Sequence, residues 1–225
     1  IFSIIAVLAA VDSLDKKIKS DMSSLDKNTM YLKRFSFGPS EIPRWKREQY
    51  PDVTYDEFQY LKNSVNGMDK ATYQLFTARQ IAKYDTKTVS DVNVIPATHE
   101  FVEIQPMKFK SGRFFNESES NSGTAVIVLG YEIANSLFEN SDPIGKKIRL
   151  YGQKFTVIGV LDKQGQGTFG NSNDTAVCIP VNFMRNKFGD HNDSMTPIII
   201  IKPNEGVDVD EFNGEVLLTR RNKRG

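Results

Sequence analysis

Ala125-Val126-Ile127-Val128-Leu129-Gly130-Tyr131-Glu132-Ile133-Ala134-Asn135-Ser136-Leu137-Phe138 is the stretch on which the fold class turns. Its first five residues form an unbroken apolar run, short enough for a buried strand. Gly130 ends that run. From Tyr131 the period changes, because Ile133 with Leu137 and Ala134 with Phe138 are i,i+4 pairs on one helical face. Asp142-Pro143 then turns the chain and Gly145 completes the turn. Lys147 to Leu150 and Phe155 to Leu161 read as two strands joined through Tyr151-Gly152-Gln153. Strand and helix are interleaved within a few dozen residues, so an α+β fold is expected.

The pattern extends toward the C-terminus. A polar, Gly-rich segment runs from Gln164 to Asn173, followed by strands at Thr175 to Pro180 and Thr196 to Lys202. A short helix near Phe183 to Phe188 lies between them. The last helix starts at Asp208, an N-cap with Glu211 at the capping-box position, and Val209, Phe212 and Val216 share one face. It ends in Arg220-Arg221-Asn222-Lys223-Arg224, cations where the helix macrodipole favours them.

Toward the N-terminus, Ala71 to Ile95 reads as strands around a polar turn at Lys83-Tyr84-Asp85-Thr86-Lys87. Upstream, Thr54 and Glu57 form a capping box for a helix with Phe58, Leu61 and Val65 on one face, stopped by Gly67. Pro39, Pro43 and Pro51 mark a charged loop that carries Trp45, either an aromatic lid or a partner anchor. Thr29 to Phe37 suggests a strand. No internal repeat is present in the sequence.

The chain opens on Ile1-Phe2-Ser3-Ile4-Ile5-Ala6-Val7-Leu8-Ala9-Ala10-Val11, without a charge, and runs free of Gly and Pro into a charged helical pattern to about Lys27. The end of a membrane helix continuing as a stalk fits best. A buried core helix or a signal-peptide apolar region stays open. Val11, Leu14, Ile18, Met22 and Leu25 fall on one face of that helix. That face either packs on the chain's own domain or forms a seam with a partner stalk.

Composition narrows the function classes. The 225 residues have room for one large domain or two small ones, with an ordinary 39% hydrophobic content. Lys+Arg 29 against Asp+Glu 28 gives a net charge of +1, which argues against a nucleic-acid binder. Cys178 is the single cysteine and lies in an apolar run, so a buried, inert thiol is expected. Gly165-Gln166-Gly167-Thr168-Phe169-Gly170 matches G-x-G-x-x-G, but no helix follows to hold a pyrophosphate. His99 and His191 are the only histidines and have no metal-ligand spacing, so both read as solvated loop residues. Asp190, Asn192 and Asp193 lack the ligand spacing of a calcium loop. Glu117 and Glu119 read as solvated loop charges. No cofactor and no metal are expected.

Four segments, in order, resemble the MacB-like periplasmic core domain family. Ser111-Gly112-Arg113-Phe114-Phe115 with its acidic sequel is similar to that family's glycine-arginine turn. Val126 to Gly130 followed by Ala134, Leu137 and Phe138 is similar to its strand and helix. Asp142-Pro143-Ile144-Gly145-Lys146 with Ile148-Arg149, and Phe155 to Val160 with Gly159, resemble its next turn and strand. The ends agree: Ile201-Lys202, Gly206-Val207-Asp208-Val209 and Leu217-Leu218-Thr219-Arg220-Arg221 are similar to the family's closing pattern. Pro39 to Lys87 departs from it, so contacts there are expected to be particular to this chain.

The resemblance implies a porter-like mixed α/β subdomain with an inserted second mixed α+β subdomain, flanked by stalk helices. The expected limits are 1–27 for the membrane-helix end and stalk, 28–98 and 191–225 for the porter-like part, and 99–190 for the insert. It implies an extracytoplasmic domain of an ABC transporter permease in the inner membrane, carrying no catalytic residues of its own. The expected partners are a second permease copy, a cytoplasmic ATP-binding domain, and in some members a periplasmic adaptor and outer-membrane channel. The P-loop pattern of an ATPase is missing from this sequence. An unbroken helix from Ile4 to Leu25 would carry motion over about 30 Å. Val11, Leu14, Ile18, Met22, Leu25, Val209, Phe212 and Val216 are the expected stalk or coupling face, and Trp45 a partner contact. Two rivals share these features: the sensor domain of a membrane receptor, and an FtsX-like regulator of cell-wall hydrolases.

Overall fold

A computed structural model describes residues 29–33, 51–139, 141–164, 173–190, 192 and 194–224. The expected stalk face from Val11 to Leu25, Trp45, the G-x-G-x-x-G segment, His191 and Asp193 lie outside the described residues.

Among the described residues ten strands form one sheet: β1 (Met30–Leu32), β2 (Met68–Thr77), β3 (Gln80–Tyr84), β4 (Lys87–Ala97), β5 (Phe109–Gly112), β6 (Val126–Leu129), β7 (Lys147–Leu150), β8 (Gln153–Leu161), β9 (Ala176–Pro180) and β10 (Met195–Pro203). The described helices are α1 (Tyr55–Ser64), α2 (Phe101–Ile104), α3 (Glu117–Ser122), α4 (Tyr131–Phe138), α5 (Val181–Phe188) and α6 (Val209–Arg224). The strand-to-helix reading at Val126–Phe138 holds. Three local expectations need correction. Residues 80–84 form their own strand before the turn at Asp85. α1 ends at Ser64, with Val65 as an extended C-cap, so Gly67 lies beyond it. Residues 117–122 are helical, because Asn116 caps them and Glu119 closes a capping box.

The sheet has two parts. In one, β1, β10 and β2 pair antiparallel. Ala71, Tyr73, Leu75, Ile199 and Ile201 belong to the main core, while Phe76, Ile198 and Ile200 pack with Ile104 of α2 on the other face. α1 covers the main-core face, where Tyr55 meets Tyr73 edge-on at 5.4 Å between ring centres.

In the other part the pairings close on themselves. β4 pairs β3, β3 pairs β7, β7 pairs β8, β8 pairs β6, β6 pairs β9, and β9 returns to β4. Closure leaves these six strands no free edge along the circuit, the liability of an open sheet. Every second residue points inward, as the strand period of two requires. Ala82, Val92, Val94, Ile127, Leu129, Ile148, Leu150, Phe155, Val157, Val177 and Ile179 all belong to that core. α4 adds Ile133, Ala134, Leu137 and Phe138. A second apolar layer, with Phe101, Met107, Phe114 and Phe115, covers the outer faces of β4, β6 and β9.

Candidate functional site

α6 is tied to the domain by an apolar face and a charged one. Asp208 caps it, its Oδ1 accepting the Glu211 N–H at 2.9 Å. Phe212 and Val216 are buried in the main core, where α6 packs on α1. These two expected coupling residues therefore fasten α6 to its own domain, and Val209 is partly buried beside them. The Glu215 carboxylate accepts the Asn66 N–H at 3.0 Å.

In the last two turns, Arg220 and Arg224 converge on Glu57 of α1. Arg224 donates to both carboxylate oxygens, one at 2.9 Å, and also to the Asp52 carbonyl at 2.9 Å. Arg220 Nε stands 3.5 Å from Glu57 Oε1. Glu57 also accepts the Thr54 N–H at 3.0 Å, so one buried carboxylate caps α1 and clamps α6. Burial alone would raise its pKa. The Arg224 hydrogen bond, the Thr54 N–H and the charges of Arg220 and Arg224 outweigh burial and hold it below the ordinary value. On the opposite side of α6, Leu217 and Leu218 are 50% and 56% exposed.

The residues of the family pattern meet at one corner, where β5 joins β8. Gly112 and Gly159 are register partners. A Cβ on Gly112 would strike the Ile158 carbonyl, and one on Gly159 the Arg113 carbonyl, so the strands approach this closely only with glycine at both places. Arg113 donates its N–H to Ile158 at 3.0 Å and grips Glu119 with two bonds of 2.7 and 2.8 Å. That fork holds the Glu119 carboxyl below its usual pKa. The reading of Glu119 as a solvated loop charge is thereby corrected. Phe114 stacks on Phe115 at 4.0 Å. Asp142 accepts the Ile144 N–H at 3.0 Å, Lys146 donates to the Pro143 carbonyl at 3.1 Å, and Gly145 donates to Val157 at 2.8 Å. Gly112, Arg113, Phe114, Asp142, Pro143, Gly145, Lys146 and Gly159 thus build a joint rather than a pocket.

Two polar nodes were not singled out by sequence reasoning. Asn182 donates to the Ser120 carbonyl at 2.9 Å and to Tyr55 at 3.2 Å, and accepts from Arg185 at 2.8 Å. Arg185 lies 3.8 Å over the Tyr55 ring and pairs with Asp190. Glu100 is buried and bonded to Lys62; burial raises its pKa, and the Lys62 and Thr98 hydrogen bonds bring it below the ordinary value. His99 is half-buried with Nδ1 3.3 Å from Glu100, which corrects its reading as a solvated residue. Each node joins elements far apart in sequence, which local patterning does not report.

Cys178 is buried, and burial pushes its thiol up to about 12. Among the described residues no group of three or more His, Cys, Asp or Glu side chains is placed to hold a metal, and no helix is long and apolar enough to cross a membrane.

The sequence model of the family described as "MacB-like periplasmic core domain" matches residues 1–217. The "Macrolide export ATP-binding/permease protein MacB" of Neisseria meningitidis serogroup A is 25% identical over 98% of this chain and 33% of its own length. The "Pyoverdine export ATP-binding/permease protein PvdT" of Pseudomonas fluorescens is 26% identical over 84% of this chain and 28% of its own length. The chain thus spans about a third of the length of the curated relatives it matches, 33% in the first case. Among solved structures, the periplasmic region of MacB from Actinobacillus actinomycetemcomitans shares the fold with a TM-score of 0.70 at 20% identity, over 92% of this chain and 90% of that one. The extracellular domain of the transporter YknZ from Gram-positive bacteria does so with a TM-score of 0.63 at 19% identity, over 76% and 84%. The chain belongs to the MacB-like periplasmic core domain family, and its mixed α and β fold is the one found in the periplasmic region of MacB.

Proposed function

We propose that this domain is a mechanical relay in an ABC transporter permease of the inner membrane. It takes up motion driven by ATP turnover in a cytoplasmic ATP-binding domain and delivers it outside the bilayer for export. The observation that carries this reading is the double attachment of α6. Phe212 and Val216 hold it by burial, each worth about 1.5–3 kcal/mol, and Arg220 and Arg224 hold its last two turns through Glu57. A helix fixed at both levels passes displacement into the domain instead of swivelling on it. Export as the direction rests on the two relatives, whose names give macrolide and pyoverdine as their cargoes.

The exposed Leu217 and Leu218 are the proposed seat for the stalk face Val11, Leu14, Ile18, Met22 and Leu25, or for its counterpart in a second permease copy. The proposed porter-like part centres on β1, β2 and β10 with α1 and α6, and the proposed insert, residues 99–190, completes the strand circuit together with β3 and β4. A periplasmic adaptor and an outer-membrane channel complete the proposed partners.

The test places cysteines at Ile18 and Leu217 in the full-length permease. Val216 is unsuitable because it is buried. A disulfide whose yield changes between nucleotide-free and ATP-bound protein is expected. No crosslink in any nucleotide state defeats the relay reading.

A further inference from the structure

Among the described residues, one stretch of the strand circuit has no outer layer. β3, β7 and the first half of β8 turn Ile81, Lys83, Lys147, Arg149 and Lys154 to solvent. Three of these cations stand in a row across adjacent strands, because Lys83 is the register partner of Arg149 and Arg149 that of Lys154. Neighbouring strands are about 4.8 Å apart, so the row spans about 10 Å. Like charges directly opposite each other destabilise a sheet.

Composition does not force this, since the chain has 28 acidic residues for its 29 basic ones. Several cations elsewhere are paired: Lys62 with Glu100, Lys70 with Glu103, Lys87 with Glu139, Arg113 with Glu119, and Arg185 with Asp190. Among the described residues, Lys83, Lys147, Arg149 and Lys154 have no ion pair. Asp85, in the turn after β3, makes none with them either. The repulsion also falls on a narrow joint, for Lys83 and Arg149 are the single register pair between β3 and β7.

We infer that this wall binds an acidic protein segment, an extended stretch with Asp or Glu at alternate positions. Alternate side chains on such a stretch lie about 6.6 Å apart, within reach of the flexible Lys stems. The Arg149 fork matches a carboxylate, and Ile81, 51% exposed on the Lys83 side, supplies an apolar contact. An anionic lipid surface offers the same charge complementarity, and the test below separates it from the peptide. Binding neutralises charges that repel across β3 and β7, so the segment also tightens that seam. The inference stands apart from the relay reading.

The test titrates residues 1–225 into a fluorescein-labelled peptide of alternating Glu and Thr at low ionic strength, read by anisotropy. Saturable binding is expected, weakened at least about tenfold in the Arg149→Gln/Lys154→Gln double variant. The peptide should raise the Tm of the unaltered chain and not that of the variant. Circular dichroism of the variant separates lost binding from lost folding, and Lys83→Gln offers a second, milder probe of the same row. Absence of saturable binding, equal binding by a folded double variant, or binding to phosphatidylglycerol vesicles without binding to the peptide each overturns the inference.

Discussion

Facing inward, the two walls of the strand circuit are alike. β3, β7 and β8 supply Ala82, Ile148, Leu150, Phe155 and Val157, and β4, β6 and β9 supply Val92, Val94, Ile127, Leu129, Val177 and Ile179. Facing outward they differ. β4, β6 and β9 turn Ile95, Ala97, Val126, Val128, Ala176 and Cys178 into a second apolar layer under Phe114 and Phe115. β3 and β7 turn Lys83, Lys147 and Arg149 to water. A strand's inner side is set by its place in the circuit, and its outer side by whatever covers it. Beside the covered wall Arg113 closes on Glu119, whereas Lys83, Lys147, Arg149 and Lys154 of the bare wall have no ion pair among the described residues.

The shared interior offers the harshest way to break this comparison. Phe155→Ala should cost about 3–5 kcal/mol in urea unfolding, because Phe155 is fully buried between the walls. A loss near that of an exposed substitution would mean the walls do not share one core. Next in size is the buried charge at the foot of α6. Glu57→Gln should cost about 2 kcal/mol at neutral pH, the range for hydrogen bonds to a charged group. The sign with pH follows from its lowered pKa. The folded carboxyl titrates below the ordinary carboxylate range, so its contribution is complete above that range and is lost as pH falls through the folded value. The stability gap between the two proteins should therefore close in acid. A gap independent of pH would assign the effect to packing rather than to charge.

How much of this was legible beforehand depended on how local each signal is. The run Val126–Leu129 and the hairpin around Tyr151-Gly152 were readable because burial on both faces and period-two alternation leave different patterns over a few residues. The Thr54 and Glu57 box was readable for the same reason, yet the second role of Glu57 was not. Its partners Arg220 and Arg224 lie at the far end of the described chain, and nothing near Glu57 in sequence announces them. Gly112 and Gly159 were recognisable as family residues, but why both must be glycine appears only once β5 is laid against β8. The helix at Glu117 was hidden by its composition, since Ser and Glu in ESESNS resemble a loop until Asn116 and Glu119 are seen capping it. Phe212 and Val216 were grouped correctly on one face of α6, but periodicity cannot say whether such a face meets its own domain or another helix.

The gentlest change sharpens the contrast between the walls. Lys154→Glu puts a carboxylate opposite Arg149, turning a repulsive cross-strand pair into an attractive one. A gain of about 0.5 kcal/mol is expected at low ionic strength, from the urea midpoint at unchanged m. Both partners are exposed, so salt should erase most of it. Lys147→Glu is the matched control, because its register partner is the uncharged Thr156 and no opposed cation is relieved. It should gain less. The order matters more than the size: if Lys147→Glu stabilised as much as Lys154→Glu, the effect would belong to the net charge of the face. If Lys154→Glu alone gained, and lost the gain in salt, the repulsion would be located in the row itself, the bare wall being held at a cost that the covered wall never meets.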